Sequence, residues 1–190
     1  MGYLEQYLPT NAHVPDFKNW KWGGEGFGFD MSFSPKRVGA LTTTYVMDNG
    51  LLARMLAIDG PFRFLKGGWN NLKDSRNVYF IEHSFFINKE LQELGDWRIN
   101  VPNPKGLFLV LGRRFNHVYP AFVMENLSND FFSLPEKKKE KVLETRDYMV
   151  EAAKEHGFVP GVGSDNLNNF LYNKDKDKVY LIGFSTWQRK

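Results

Sequence analysis

Between Val38 and Lys66 the pattern favours strands, and the run ALTTTYVMDNGLLARMLAI places β-branched and apolar residues on both sides of Asp48-Asn49-Gly50. An Asn-Gly pair flanked in this way signals a β-hairpin. A third strand is predicted from Phe62 to Lys66, behind Gly60-Pro61, and three strands in succession imply an antiparallel sheet. The period then changes. In SRNVYFIEHSFFINKELQELG, residues Val78, Ile81, Phe85, Leu91 and Leu94 fall near helical spacing, with Gly95 as the stop. Two further strands are expected, Leu107 to Leu111 and Ala121 to Met124, the second running into Glu125-Asn126-Leu127.

The clearest helix is SLPEKKKEKVLETRDYMVEAAKEHG, in which Ser133 and Glu136 have the spacing of a capping box, Pro135 suits the first turn and His156-Gly157 suits the end. Val142, Met149 and Ala153 would line its buried face. An Asn-rich turn follows, then a strand from Phe170 to Tyr172, a charged turn from Asn173 to Lys178, and a strand from Val179 to Ile182. The fold class is therefore α+β. Its expected organisation is an irregular aromatic-rich arm over 1–37, an antiparallel sheet with one helix over 38–127, and a small helical part carrying a β-hairpin over 128–190.

Composition narrows the function classes. With 42% hydrophobic and 25% charged residues, the 190-residue chain has the make-up of a soluble globular protein, and its 17 Phe, 8 Tyr and 5 Trp suit an aromatic core. The net charge is only +3, and the one basic run, Lys137 to Lys141, is interrupted by Glu140 and reads as a solvated helix face, which argues against nucleic-acid binding. Without cysteine there is neither a disulfide framework nor a thiolate metal site. His13, His83, His117 and His156 lack ligand spacing. No run reaches membrane-spanning length, Met1-Gly2 lacks the Ser or Thr of a myristoylation signal at Gln6, and no basic flank leads an apolar segment at the start. A cytoplasmic location is expected.

The order of three strands, helix, two strands, connector, helix, turn and hairpin resembles the protein-kinase-like superfamily, including the minimal kinases among bacterial effectors. That likeness spans Val38 to Ser185 and adds a host cytoplasm as an alternative location. It implies that Lys66, in FRFLKGG, holds nucleotide phosphates and pairs with Glu82, in YFIEHSFF. It makes Glu125, Asn126 and Leu127 a hinge whose backbone meets an adenine ring. In the family's catalytic loop, H-x-D-x-x-x-x-N, the Asp takes the proton of the attacking hydroxyl and the Asn binds magnesium. Aligned on NFLY, Asn169 is that metal-binding Asn, and Val162, Gly163 and Ser164 occupy the H-x-D places. The Asp-Phe-Gly motif becomes Gly183-Phe184-Ser185. Both catalytic aspartates are thus replaced, and ATP with Mg is the implied cofactor of an intact site.

Asp165 lies one residue past the expected acid and could serve it if the loop shifts, with an Asx-turn as the structural alternative. Asp175 and Asp177 read as solvated turn residues. The glycine cluster of Trp22 to Phe29 echoes a phosphate-covering loop but is one residue short of the pattern and stands early relative to Lys66; Met47 to Gly50 is the other candidate. Three functions remain open. The first is a truncated pseudokinase-like protein that binds a protein partner and retains weak nucleotide binding. The second is a minimal phosphotransferase or nucleotidyl transferase using Lys66, Glu82, Asp165 and Asn169. The third is an unrelated α+β binding domain whose aromatic arm holds a ligand or partner chain.

Overall fold

A computed structural model describes residues 20–23, 28–29, 37–38, 42–56, 75–112, 117–161, 167 and 169–190. The expected strand from Phe62 to Lys66, including Lys66 itself, lies outside the described residues, as do Ser164 and Asp165. The fold is α+β, and the chain divides into two compact units, 1–85 with 104–125, and 86–103 with 126–190.

The first unit is built on a seven-stranded sheet. Its strands are β1 (Lys21–Trp22), β2 (Gly28–Phe29), β3 (Arg37–Val38), β4 (Thr42–Val46), β5 (Leu52–Leu56), β6 (Pro104–Gly112) and β7 (His117–Met124). They run in the order β1-β6-β7-β5-β4-β3, with β2 also pairing β6. The stretch from β3 to β6 is antiparallel throughout, as the expected α+β fold with an antiparallel sheet has it. Its outer edge differs from that expectation, because β1 and β2 pair with β6 in parallel. These two segments belong to the arm predicted to be irregular. The β4–β5 hairpin closes around Asp48-Asn49-Gly50, with the Met47 N–H donating to Leu51 O at 2.8 Å and the Leu51 N–H donating to Asn49 Oδ1 at 3.1 Å.

Strand alternation sorts the apolar side chains onto two faces. Ala53, Met55, Phe108, Val110, Ala121 and Val123 form one cluster. On the other face Leu52, Leu107, Phe122 and Met124 pack with Trp20 and with Ile81 and Phe85 of helix α1 (Ser75–Glu93). The Phe85 and Phe122 rings meet edge to face, with centroids 5.6 Å apart.

The second unit takes Ile87 and Leu91 of α1 into a core with Ile99, Val101, Phe131, Phe158, Phe170, Phe184 and Trp187. Helix α2 (Glu136–Glu155) contributes Val142, Met149, Ala152 and Ala153 to that core, including the three residues its periodicity predicts. Its start corrects the capping box. Pro135 is the N-cap and makes no side-chain cap bond, while Ser133 closes a short 3₁₀ turn (Phe131–Ser133) and donates its hydroxyl to Asp130 O at 2.8 Å. The helix ends at the predicted place, where the Gly157 N–H donates to Lys154 O at 2.9 Å.

Two small antiparallel sheets complete this unit. β8 (Phe158–Val159) pairs with β11 (Gln188–Arg189), and β9 (Phe170–Asn173) pairs with β10 (Lys178–Leu181), the expected hairpin. Between β10 and β11 a 3₁₀ turn (Phe184–Thr186) places Phe184 edge-on to Trp187. Among the described residues, no helix is long and apolar enough to cross a membrane.

Candidate functional site

Two groups of side chains, one in each unit, carry the chemistry that the sequence singles out. In the first unit Glu82 sits on α1, beside Ile81 in sequence, and is 8% exposed. Trp20 donates its indole N–H to Glu82 Oε1 at 2.7 Å, and Trp20 is itself 7% exposed. A carboxylate held in an apolar layer needs donors of this kind, because an unpartnered buried charge costs several kcal/mol on the order-of-magnitude scale. The expected partner of Glu82, Lys66, lies outside the described residues.

Sequence reasoning missed two residues of this group. Trp20 stood out only as an aromatic in a polar arm. Arg54, in the middle of β5, pairs in register with Thr44 and Phe122 and has the parity of Leu52, which places it on the sheet face that packs against α1. The hairpin register predicted from Asn49-Gly50 would have located it there.

In the second unit the segment from Asn126 to Asp130 is joined to the β9–β10 hairpin. Glu125 is half-buried, Asn126 is exposed and Leu127 is buried, packing with Leu171, Tyr180 and Ile182. Hydrogen bonds continue the join: the Tyr172 N–H donates to Asn129 Oδ1 at 3.1 Å, and the Asp130 N–H donates to Tyr172 O at 2.8 Å. The Lys174 N–H and the Ser128 hydroxyl donate to Asp130 Oδ2 at 2.8 and 2.7 Å, and these bonds hold its carboxyl below the usual range. Ser128, Asn129 and Asp130 therefore fix the connector, a role that residue type alone did not reveal.

Asn169 and Gly183 stand at the two ends of the hairpin. The Ile182 N–H donates to Asn169 O at 2.9 Å. Gly183 has φ +85°, and a Cβ placed on it would lie 2.7 Å from Asn169 Cγ. The left-handed backbone disfavours a larger residue at 183, and such a residue would have to displace the Asn169 side chain. Ser185 is buried and Phe184 belongs to the core. Gly161, before the Asn-rich turn, approaches the backbone of Thr186 so closely that a Cβ would come within 2.7 Å of its carbonyl carbon.

The hairpin acids play structural parts. Asp177 accepts a short hydrogen bond from the Tyr172 hydroxyl and lies 3.5 Å from Lys138 Nζ; the Tyr172 bond, then the lysine charge, lower its pKa. Asp175 is exposed. Among the described residues no three His, Asp or Glu side chains come together as a metal-binding group. Asn169 offers one neutral oxygen, whereas Mg²⁺ sites are built on one or two carboxylates together with waters and phosphates.

No protein-family model matches this sequence, and no curated protein matches it.

Proposed function

We propose that this is a kinase-shaped binding protein, a pseudokinase-like fold that acts by engaging a protein partner and retains weak nucleotide binding without ordinary phosphoryl transfer. The observation that carries the reading is Gly183 against Asn169. Where the resemblance requires a magnesium-binding aspartate, the chain has a left-handed glycine whose side-chain space is taken by the neighbouring amide. Loss of one fixed charge from a preorganised site removes about 3–4 kcal/mol of transition-state stabilisation, a rate factor on the order of a thousand.

The element order supports the kinase comparison. β4 and β5, then α1, then β6 and β7, then α2 and the β9–β10 hairpin follow in the expected succession, with the expected strand from Phe62 to Lys66 outside the described residues. Glu82 on α1 is buried, as a carboxylate paired with a phosphate-binding cation would be. Two residues compete for that cation's role. Lys66 follows from the sequence motif, and Arg54 follows from taking β5 as the third strand. The backbone of Glu125 to Leu127 would meet the adenine.

The test is a phosphoryl-transfer assay of the whole chain with ATP and either Mg²⁺ or Mn²⁺. The expected result is no ATP turnover and no autophosphorylation above background. Robust metal-dependent transfer that disappears in Lys66→Ala or Arg54→Ala overturns the proposal.

A further inference from the structure

The first unit carries a feature that the comparison with kinases does not use. Strand β6 is nine residues long, and among the described residues its outer side is met by two segments of two residues each. Both run parallel to it, in the registers Lys21↔Phe108, Trp22↔Leu109, Gly28↔Leu111 and Phe29↔Gly112. The Gly23 N–H adds one bond to Leu109 O at 3.1 Å. Parallel pairing is the weaker kind per residue. The anchor is Trp20, buried against Leu52, Ile81, Leu107 and Phe122, with its indole N–H on Glu82 Oε1. Among the residues whose burial is described, Glu82 is the only buried acidic or basic one.

We propose that the β6 edge and the Glu82 carboxylate form a docking site for an extended protein segment that presents an indole, and that the chain's own arm occupies it in cis. This rests on the reading of the protein as a binding protein and specifies its partner's chemistry. An edge strand accepts an added strand through main-chain bonds that any sequence can make, while a side-chain pocket supplies the specificity. Here the pocket is apolar with one carboxylate acceptor, which selects a large aromatic carrying an N–H donor. Because the arm is tethered, it competes at an effective concentration of the order of millimolar, so that displacement requires a partner with a tighter grip or a weakened arm.

The test uses the whole chain and a fluorescent peptide copying residues 18–29, KNWKWGGEGFGF, read by anisotropy. Trp20→Ala weakens the resident arm and should bind the peptide about tenfold or more tightly than the wild type does. A peptide with Phe at its first Trp should bind that variant several-fold more weakly. Equal binding by the variant and the wild type, or no binding by either at millimolar peptide, overturns the proposal. So does a concentration-dependent dimer that excludes the peptide, since the arm would then be exchanging between copies. If Trp20→Ala shows no cooperative melting, amide exchange in the wild type decides. The Gly23 amide should exchange at least about a hundredfold faster than the β6–β7 ladder, and equal protection would contradict a displaceable arm. Metal-dependent phosphoryl transfer by the wild type would instead remove the binding-protein reading and leave both arm measurements as they are.

Discussion

The amide of Asn169 occupies the space that a side chain at position 183 would fill, and Gly183, at φ +85°, is the residue that permits it. Gly183→Ala should therefore destabilise the protein by about 1–3 kcal/mol, from the left-handed backbone and from the clash. In the double variant Asn169→Ala/Gly183→Ala the clash with the amide is gone, while the backbone term and a 3.1 Å approach to the Cβ of residue 169 remain, so the two single costs should sum to more than the double. Denaturant melts of the four proteins measure this. Additive costs would mean that the two residues do not compete for the same space.

Gly161 makes a second close approach, this time to the backbone of Thr186. A backbone obstacle cannot rotate away as a side chain can, so Gly161→Ala should cost about 3 kcal/mol or displace the turn that carries Phe184 and Trp187. Near-UV circular dichroism, sensitive to Trp187, would register the displacement. A variant with native stability and an unchanged spectrum would rule the contact out.

The bond between Trp20 and Glu82 gives a third expectation. Trp20→Phe keeps an aromatic ring but leaves Oε1 without that donor, at an expected cost of about 1–3 kcal/mol, whereas Glu82→Gln retains an acceptor and should cost less. In Trp20→Phe/Glu82→Gln the cost should fall short of the sum of the singles, which a double-mutant cycle reads directly. Zero coupling would show that the indole contributes only its packing.

The loop after α1 is held by charge. Arg98 donates from Nε, Nη2 and its backbone N–H to the Asp96 carboxylate, and His156 Nε2 lies 3.0 Å from Asp96 Oδ2. These bonds, the arginine's first, hold the Asp96 carboxyl well below the usual range. Arg98 also reaches Glu155 at 2.7 Å, and its own pKa is raised, by the bond to Asp96 first. For a carboxyl depressed on folding, the stabilisation is fully present above its unfolded pKa of about 3.9 and fades as the pH falls toward the folded value. Asp96→Asn should lower the melting temperature at pH 7, and the gap from the wild type should narrow below about pH 4. A gap independent of pH would contradict the linkage.

Much of the fold was legible in the sequence because its signals are local. The Asn49-Gly50 hairpin, the helix through Ile81 and Leu91, the helix with Val142 and Met149 inward, and the Phe170 to Ile182 hairpin each follow from side-chain period and turn chemistry. The capping box failed because Pro135 fixes an extended entry to α2 and Ser133 is already committed to the preceding 3₁₀ turn. The parallel strands β1 and β2 left no trace, since two residues are too few to establish a period and their partners lie more than eighty residues away. At the candidate site the glycine at 183 could be read directly, whereas its left-handed backbone and its contact with Asn169 could not. The burial of Trp20 on Glu82 and the anchoring of Asp130 depend on which strands meet, which spacing along one chain does not encode.

The most direct test of the central claim is a thermal-shift titration with ATP, with and without Mg²⁺. A ligand at a hundred times its dissociation constant stabilises the folded state by about 2.7 kcal/mol, a shift of a few degrees for a chain of this size. The account predicts a small shift that is indifferent to the metal, because position 183 offers no carboxylate to hold it. A large shift that requires Mg²⁺ and is lost in Asn169→Ala would contradict it and would direct attention to Asp165 as the acid of a working transferase.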